Sequence, residues 1–253
     1  MKKENLILFG AYGTNKEIFS GLIEFFSDYF NVYYIGFPGF DTKPLKSITI
    51  KNYIKYSKEK VISLNLDSYW ICGPSFGFLV AENLLKYSKI TKSCKGIFAI
   101  SPYISNKYFM AFKKTRFLAI LFFKLIINLK LENSLWNTKL FRKIMILSGF
   151  PNNQLETVIH KMDPISSFKV GLDLLSYKRE MVFNKKPHIL LVHKEDKSIN
   201  SKKIIELFKK NIPQLLVIEL RTGNFSHYPE DLSKEFLKSQ IPIQKVIKFM
   251  KKY

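Results

Sequence analysis

Two rhythms of apolar residues alternate along the first hundred positions. Short continuous runs read as strands, and segments with apolar residues three and four apart read as helices. Leu6 to Phe9 is a run, followed by the glycine-bearing turn Gly10-Ala11-Tyr12-Gly13. Residues 17–29 have helical spacing, with Ile18, Leu22, Phe25 and Phe26 on one side. A second run, Val32 to Ile35, ends near the turn signal Pro38-Gly39. A helix is expected over 48–63, a strand over 68–72, a helix over 79–87 and a strand over 96–100. This β-then-α order implies a parallel sheet with helices on its faces. Strands that are apolar throughout fit, because such strands are buried on both sides.

The alternation stops at about Tyr103. From there to about 180 the pattern is helical, with a long apolar segment over 117–131 and shorter ones over 141–149 and 153–162. It resumes with a strand over 188–192, a helix over 201–210, a strand over 215–220 and a helix over 243–251. The division implied is an α/β core over 1–102 and 181–253, with a helical insertion over 103–180 expected as a lid above the carboxyl ends of the strands. Those ends are where open α/β sheets bind ligands.

Composition narrows the picture. With 47% apolar and 24% charged residues in 253, the chain can bury a core, which argues against disorder. Two cysteines, Cys72 and Cys94, are too few for a disulfide framework. No apolar run reaches the length of a membrane span or a secretory signal, so a cytoplasmic location is expected. The formal charge of +21 comes almost wholly from lysine; the arginines are Arg116, Arg142, Arg179 and Arg221. Phosphate and guanine recognition favours arginine, and no nucleic-acid-binding motif is present, so the bulk of the lysine reads as solvated surface.

The chemistry-bearing motif is Gly73-Pro74-Ser75-Phe76-Gly77, a G-x-S-x-G sequence between an expected strand and an expected helix. Such a turn needs small flanking residues, and it holds the serine hydroxyl at a helix N-terminus, where developing negative charge is favoured. On this motif, and on Phe9-Gly10-Ala11-Tyr12-Gly13, the turn after Ile35 and the segment from Leu190 to Asp196 in the same order, the chain resembles the α/β-hydrolase superfamily. The resemblance covers nearly the whole chain and says little about substrate. It implies Ser75 as nucleophile and an oxyanion hole made by the backbone N–H groups of Phe76 and Ala11. Phe9 departs from the family's usual histidine, and Phe78 stands where a small residue is common. The family's first hairpin is expected to be reduced or missing. Tyr12 and Phe78 are expected to line the substrate site, with Phe78 crowding the elbow or narrowing an acyl pocket.

Serine needs a base, and the base needs an acid, in the chain order Ser, Asp, His. Asp196 follows the strand over 188–192, where the family places its acid; Glu195 is the alternative. Of the four histidines, His160, His188 and His193 read as structural or surface residues, and His227 follows the last strand. Two alignments stay open. The family's Gly-His can fall on Gly223-Asn224, which removes the base because an amide cannot accept the proton, or on Ser226-His227, which keeps it. We favour His227. The expected activity is hydrolysis of an ester or thioester with an apolar acyl part, with no metal and no cofactor. A non-catalytic binding protein of the same fold is the alternative, as is a thioesterase or acyltransferase directed to an acyl carrier protein. Between Tyr103 and His160 nine Lys or Arg face two acids. A basic lid over an apolar pocket suits an acidic carrier protein or an anionic membrane surface.

Overall fold

The computed structural model describes residues 3–110, 113–147, 152–179, 181–194, 196, 198–220 and 232–253. The core elements follow the expected alternation: β1 (Glu4–Phe9), α1 (Ser20–Ser27), β2 (Phe30–Ile35), α2 (Ile50–Ser63), β3 (Tyr69–Pro74), α3 (Phe76–Leu84), α4 (Ser88–Ser93) and β4 (Cys94–Ile100). Five helices then intervene: α5 (Arg116–Asn128), α6 (Glu132–Trp136), α7 (Lys139–Leu147), α8 (Asn152–Lys161) and α9 (Pro164–Ser176). The chain closes with β5 (His188–His193), α10 (Ser201–Asn211), β6 (Leu215–Leu220), α11 (Lys234–Gln240) and α12 (Ile243–Met250).

Six strands form one sheet in the order β2-β1-β3-β4-β5-β6, every pair parallel. Strand side chains alternate between two cores. Ile7, Phe9, Ile71, Ile97, Ala99, Leu190 and Val192 face the side covered by α2, α3 and α10. Leu6, Leu8, Trp70, Cys72, Phe98, Ile189 and Leu191 face the side covered by α1, α11 and α12. β3 and β5 are buried at every residue, which explains the apolar stretches Tyr69 to Cys72 and Ile189 to Val192.

This arrangement creates a crevice. β1 and β3 are neighbours, yet α1 leaves β1 for one face and α3 leaves β3 for the other. Loops that part in opposite directions leave a gap at the carboxyl ends of the two strands. α9 spans this end. Asp163 caps its start by accepting the N–H of Ser166 (2.6 Å), and the Asp163 N–H donates to the Gly39 carbonyl (2.7 Å) after β2. Further along, Tyr12 Oη donates to the Ser167 carbonyl (3.0 Å). Tyr103, after β4, donates its hydroxyl to the Leu174 carbonyl, and Asn106 Nδ2 donates to that of Leu175 (3.0 Å). The last two acceptors belong to the final turn of α9, where carbonyls run short of helical donors; that of Leu174 also takes the capping Tyr177 N–H (3.1 Å). α5 packs on α9, with the Phe123 and Phe168 rings 5.3 Å apart. Among the described residues no helix is long and apolar enough to cross a membrane.

Candidate active site

β3 runs into α3 with a single residue between them. That residue is Ser75, at φ 46° and ψ −117°, a conformation that side-chain-bearing residues rarely adopt. Three backbone bonds hold the turn: Ser75 N–H to the Ile100 carbonyl (2.9 Å), and the N–H groups of Phe78 (3.0 Å) and Tyr103 (3.1 Å) to the Ser75 carbonyl. The flanking glycines are required by space. A Cβ on Gly73 would meet the backbone of Phe78 at 2.7 Å. A Cβ on Gly77 would meet the carbonyl oxygen of Gly10 at 2.5 Å. The elbow therefore abuts the turn after β1, and the structure brings Ser75 and the Gly10-Ala11 segment together.

α3 begins at Phe76, not near 79 as the apolar spacing suggests, because the elbow itself is the helix start. Phe76 is its first residue, so its N–H has no acceptor one turn back. It is available beside Ser75, at the positive end of the helix dipole. The N–H of Ala11 is engaged: it donates to Thr14 Oγ1 (2.8 Å), and the same hydroxyl donates back to the Ala11 carbonyl (3.0 Å). Thr14 is a participant that the sequence pattern did not single out.

Asp196 lies in the loop after β5 and is buried. Its Oδ1 accepts the N–H groups of Ser198 (2.8 Å) and Ile199 (3.3 Å), a local turn that fixes the carboxylate. Its Oδ2 has no hydrogen-bond partner among the described residues. The loop is held to the segment after β4 by Met110 N–H to the Ser198 carbonyl (2.7 Å) and Asn200 N–H to that of Tyr108 (2.9 Å). His227, Asn224 and the alternative acid Glu195 fall outside the described residues.

The other histidines are placed. His160 is exposed on α8, 3.3 Å from Glu156. His188 is fully buried, with Nε2 2.5 Å from Glu82 Oε1 and Nδ1 2.7 Å from the Lys186 carbonyl. His193 ends β5 at the same end of the sheet as Ser75, and its carbonyl accepts the Ser201 hydroxyl (2.7 Å).

Of the two residues expected to line the substrate site, Tyr12 lies between the turn after β1 and α9, its ring edge-on to Phe40 at 5.6 Å. Phe78 is packed into the core beneath the elbow. Its ring is wholly buried under the sheet, 5.4 Å from Phe208 and 6.4 Å from both Phe183 and His188. The reason is helical geometry: two residues beyond Phe76, its side chain projects toward α10 rather than toward the crevice. Among the described residues no group of three or more His, Cys, Asp or Glu could hold a metal ion.

No family model matches the chain, and no curated protein matches it in sequence. Solved structures do resemble it over its full length. A hydrolase from Oleispira antarctica superposes with a TM-score of 0.72 at 15% identity, covering 100% of this chain and 92% of the other. An epoxide hydrolase from Bacillus megaterium gives 0.68 at 13% identity, covering 100% and 96%. An esterase from Exiguobacterium antarcticum gives 0.68 at 13%, covering 99% and 92%. With its parallel sheet order, its strained serine elbow and these neighbours, the chain has the α/β-hydrolase fold.

Proposed function

We propose that this protein is a serine hydrolase that cleaves a carboxylic ester or thioester with an apolar acyl part. The observation that carries the reading is Ser75 itself, held at φ 46° between glycines that tolerate no Cβ. A non-glycine residue kept in such a conformation calls for a reason, and presenting a nucleophile at a helix N-terminus supplies one. Ser75 Oγ attacks the carbonyl carbon while His227 takes its proton. Asp196 orients His227 through the oxygen that its own loop leaves open. The N–H groups of Phe76 and Ala11 hold the oxyanion, one such donor being worth about 3 kcal/mol. The leaving alcohol or thiol departs with the proton from His227, and water then releases the acyl group by the same steps in reverse. An acceptor alcohol in place of that water would make the protein an acyltransferase. The helices between β4 and β5 act as the lid, with α9 over the crevice.

The bond from the Ala11 N–H to Thr14 favours a second reading, a ligand-binding protein of this fold with its oxyanion site closed. Under the catalytic reading, substrate displaces the Thr14 hydroxyl from that N–H. Labelling with a fluorophosphonate probe separates the two. The wild type is expected to label, Ser75→Ala and His227→Gln to lose labelling, and His193→Gln to keep it. A folded wild type that does not label would favour the binding reading.

A further inference from the structure

The segment over 113–131 contains five lysines or arginines and no acid. Its helix, α5, is apolar nearly all round but has a single fully buried residue, Ile126. A helix of that composition is normally enclosed. Here Phe117, Leu118, Leu121, Leu125 and Leu129 are 71%, 64%, 47%, 55% and 57% exposed. At the helical repeat they share an arc of roughly 120° on the side away from Ile126. Exposed lysines border the stripe: Lys113 and Lys114 before the helix, Lys124 within it and Lys130 after it. Arg116 takes no part in this border, because it is half-buried and donates to the Phe109 carbonyl (2.7 Å), fastening the start of the helix.

We propose that the outward face of α5 docks on an anionic lipid surface, its leucines and phenylalanine entering the headgroup–acyl boundary and its lysines meeting acidic headgroups. A stripe of aliphatic side chains edged by lysine is the composition that such interfaces select. A second copy of the chain is disfavoured, because pairing two such faces brings like charges together. An acidic protein partner is less suited: protein interfaces are enriched in aromatic residues, methionine and arginine and depleted in lysine, whereas this stripe has one aromatic, Phe117, among leucines edged by lysine. Since α5 packs on α9, docking sets the crevice end of the sheet toward the bilayer. The inference stands apart from the chemistry at Ser75.

Co-sedimentation of the full chain with phosphatidylcholine vesicles, with and without phosphatidylserine, tests it. Binding to the phosphatidylserine vesicles is expected, weakening with salt. Leu121→Gln/Leu125→Gln should weaken binding by about tenfold or more, since both side chains point to solvent and contribute only when inserted. Lys113→Ala/Lys114→Ala should weaken it by about fivefold per lysine. The proposal is overturned if the wild type stays unbound or partitions equally onto pure phosphatidylcholine. It is also overturned if the leucine variant binds like the wild type, which would assign binding to the net charge alone. A concentration-dependent dimer abolished by the leucine substitutions would assign the face to self-association, and capture of an acidic carrier protein without vesicle binding would assign it to a protein; either result overturns the lipid proposal.

Discussion

Ser75 and its two neighbouring glycines show how tightly one turn constrains residue choice. The Gly77 position touches backbone on the turn after β1, and a carbonyl cannot swing aside as a flexible side chain can. Gly77→Ala is therefore expected to lower stability by about 1–3 kcal/mol, the usual cost of overpacking. It should also reduce fluorophosphonate labelling beyond what the fraction unfolded explains, because relief requires the Gly10-Ala11 turn to move. Denaturant titration alongside labelling rates checks both, and unchanged labelling in a destabilised but folded variant would separate this contact from the site. The G-x-S-x-G pattern was readable because its residues are adjacent in the chain. The Thr14 bond to Ala11 was not, since a threonine after a glycine turn looks the same whether its hydroxyl meets solvent or an N–H.

At the scale of elements, α3 and β5 are joined by a contact between residues 106 apart in sequence. Glu82 in α3 and His188 at the start of β5 are both buried, and Glu82 Oε2 also accepts the Asn184 N–H (3.1 Å). Removing one member leaves the other buried without its partner, which costs about 3–5 kcal/mol; replacing both by apolar residues costs far less. Glu82→Leu is thus expected to destabilise strongly, and Glu82→Leu/His188→Leu to recover much of the loss in a double-mutant cycle followed by urea unfolding. Additive effects would show that the pair is not coupled. No local pattern announces this pair, because periodicity marks Glu82 as a polar position in a helix and His188 as a strand end. By contrast, the strand over 215–220 was legible to the residue, being an apolar run broken only by Glu219 and set between turn signals. α9 was read only as part of a helical region: its Asp163-Pro164 start is a helix signal, but its apolar residues serve two neighbours and blur a single stripe. The largely apolar sequence over 117–131 suggested one helix to Leu131, whereas α5 stops at Asn128: Lys130, at φ 56°, turns the chain out of the helix before α6 begins at Glu132.

Across the whole molecule, the two cores on either side of the sheet enclose both thiols. Burial raises Cys72 well above the ordinary thiol range and pushes Cys94 up to about 12. A raised pKa favours the neutral thiol, so at mildly alkaline pH neither side chain offers the thiolate that reacts. Ellman's reagent is expected to titrate neither cysteine in the native protein and both after guanidinium denaturation, with a rate that tracks global opening. Fast reaction of one thiol in native buffer would reveal a local opening of the sheet. The α/β order was legible at this scale because six strands and their helices impose two different periods on the chain. The catalytic base was not settled by it, because Gly223-Asn224 and Ser226-His227 lie three residues apart and both suit the loop after the last strand. The hold on α9 has a consequence for how this fold can diverge. Tyr12, Tyr103 and Asn106 grip the helix through its carbonyl oxygens, which every amino acid carries. Apart from Gly171, where a Cβ would come within 2.9 Å of the Tyr12 hydroxyl, side chains along α9 can therefore be exchanged without surrendering those three anchors, so mutation can rewrite what the crevice accepts while the attachment itself is inherited unchanged.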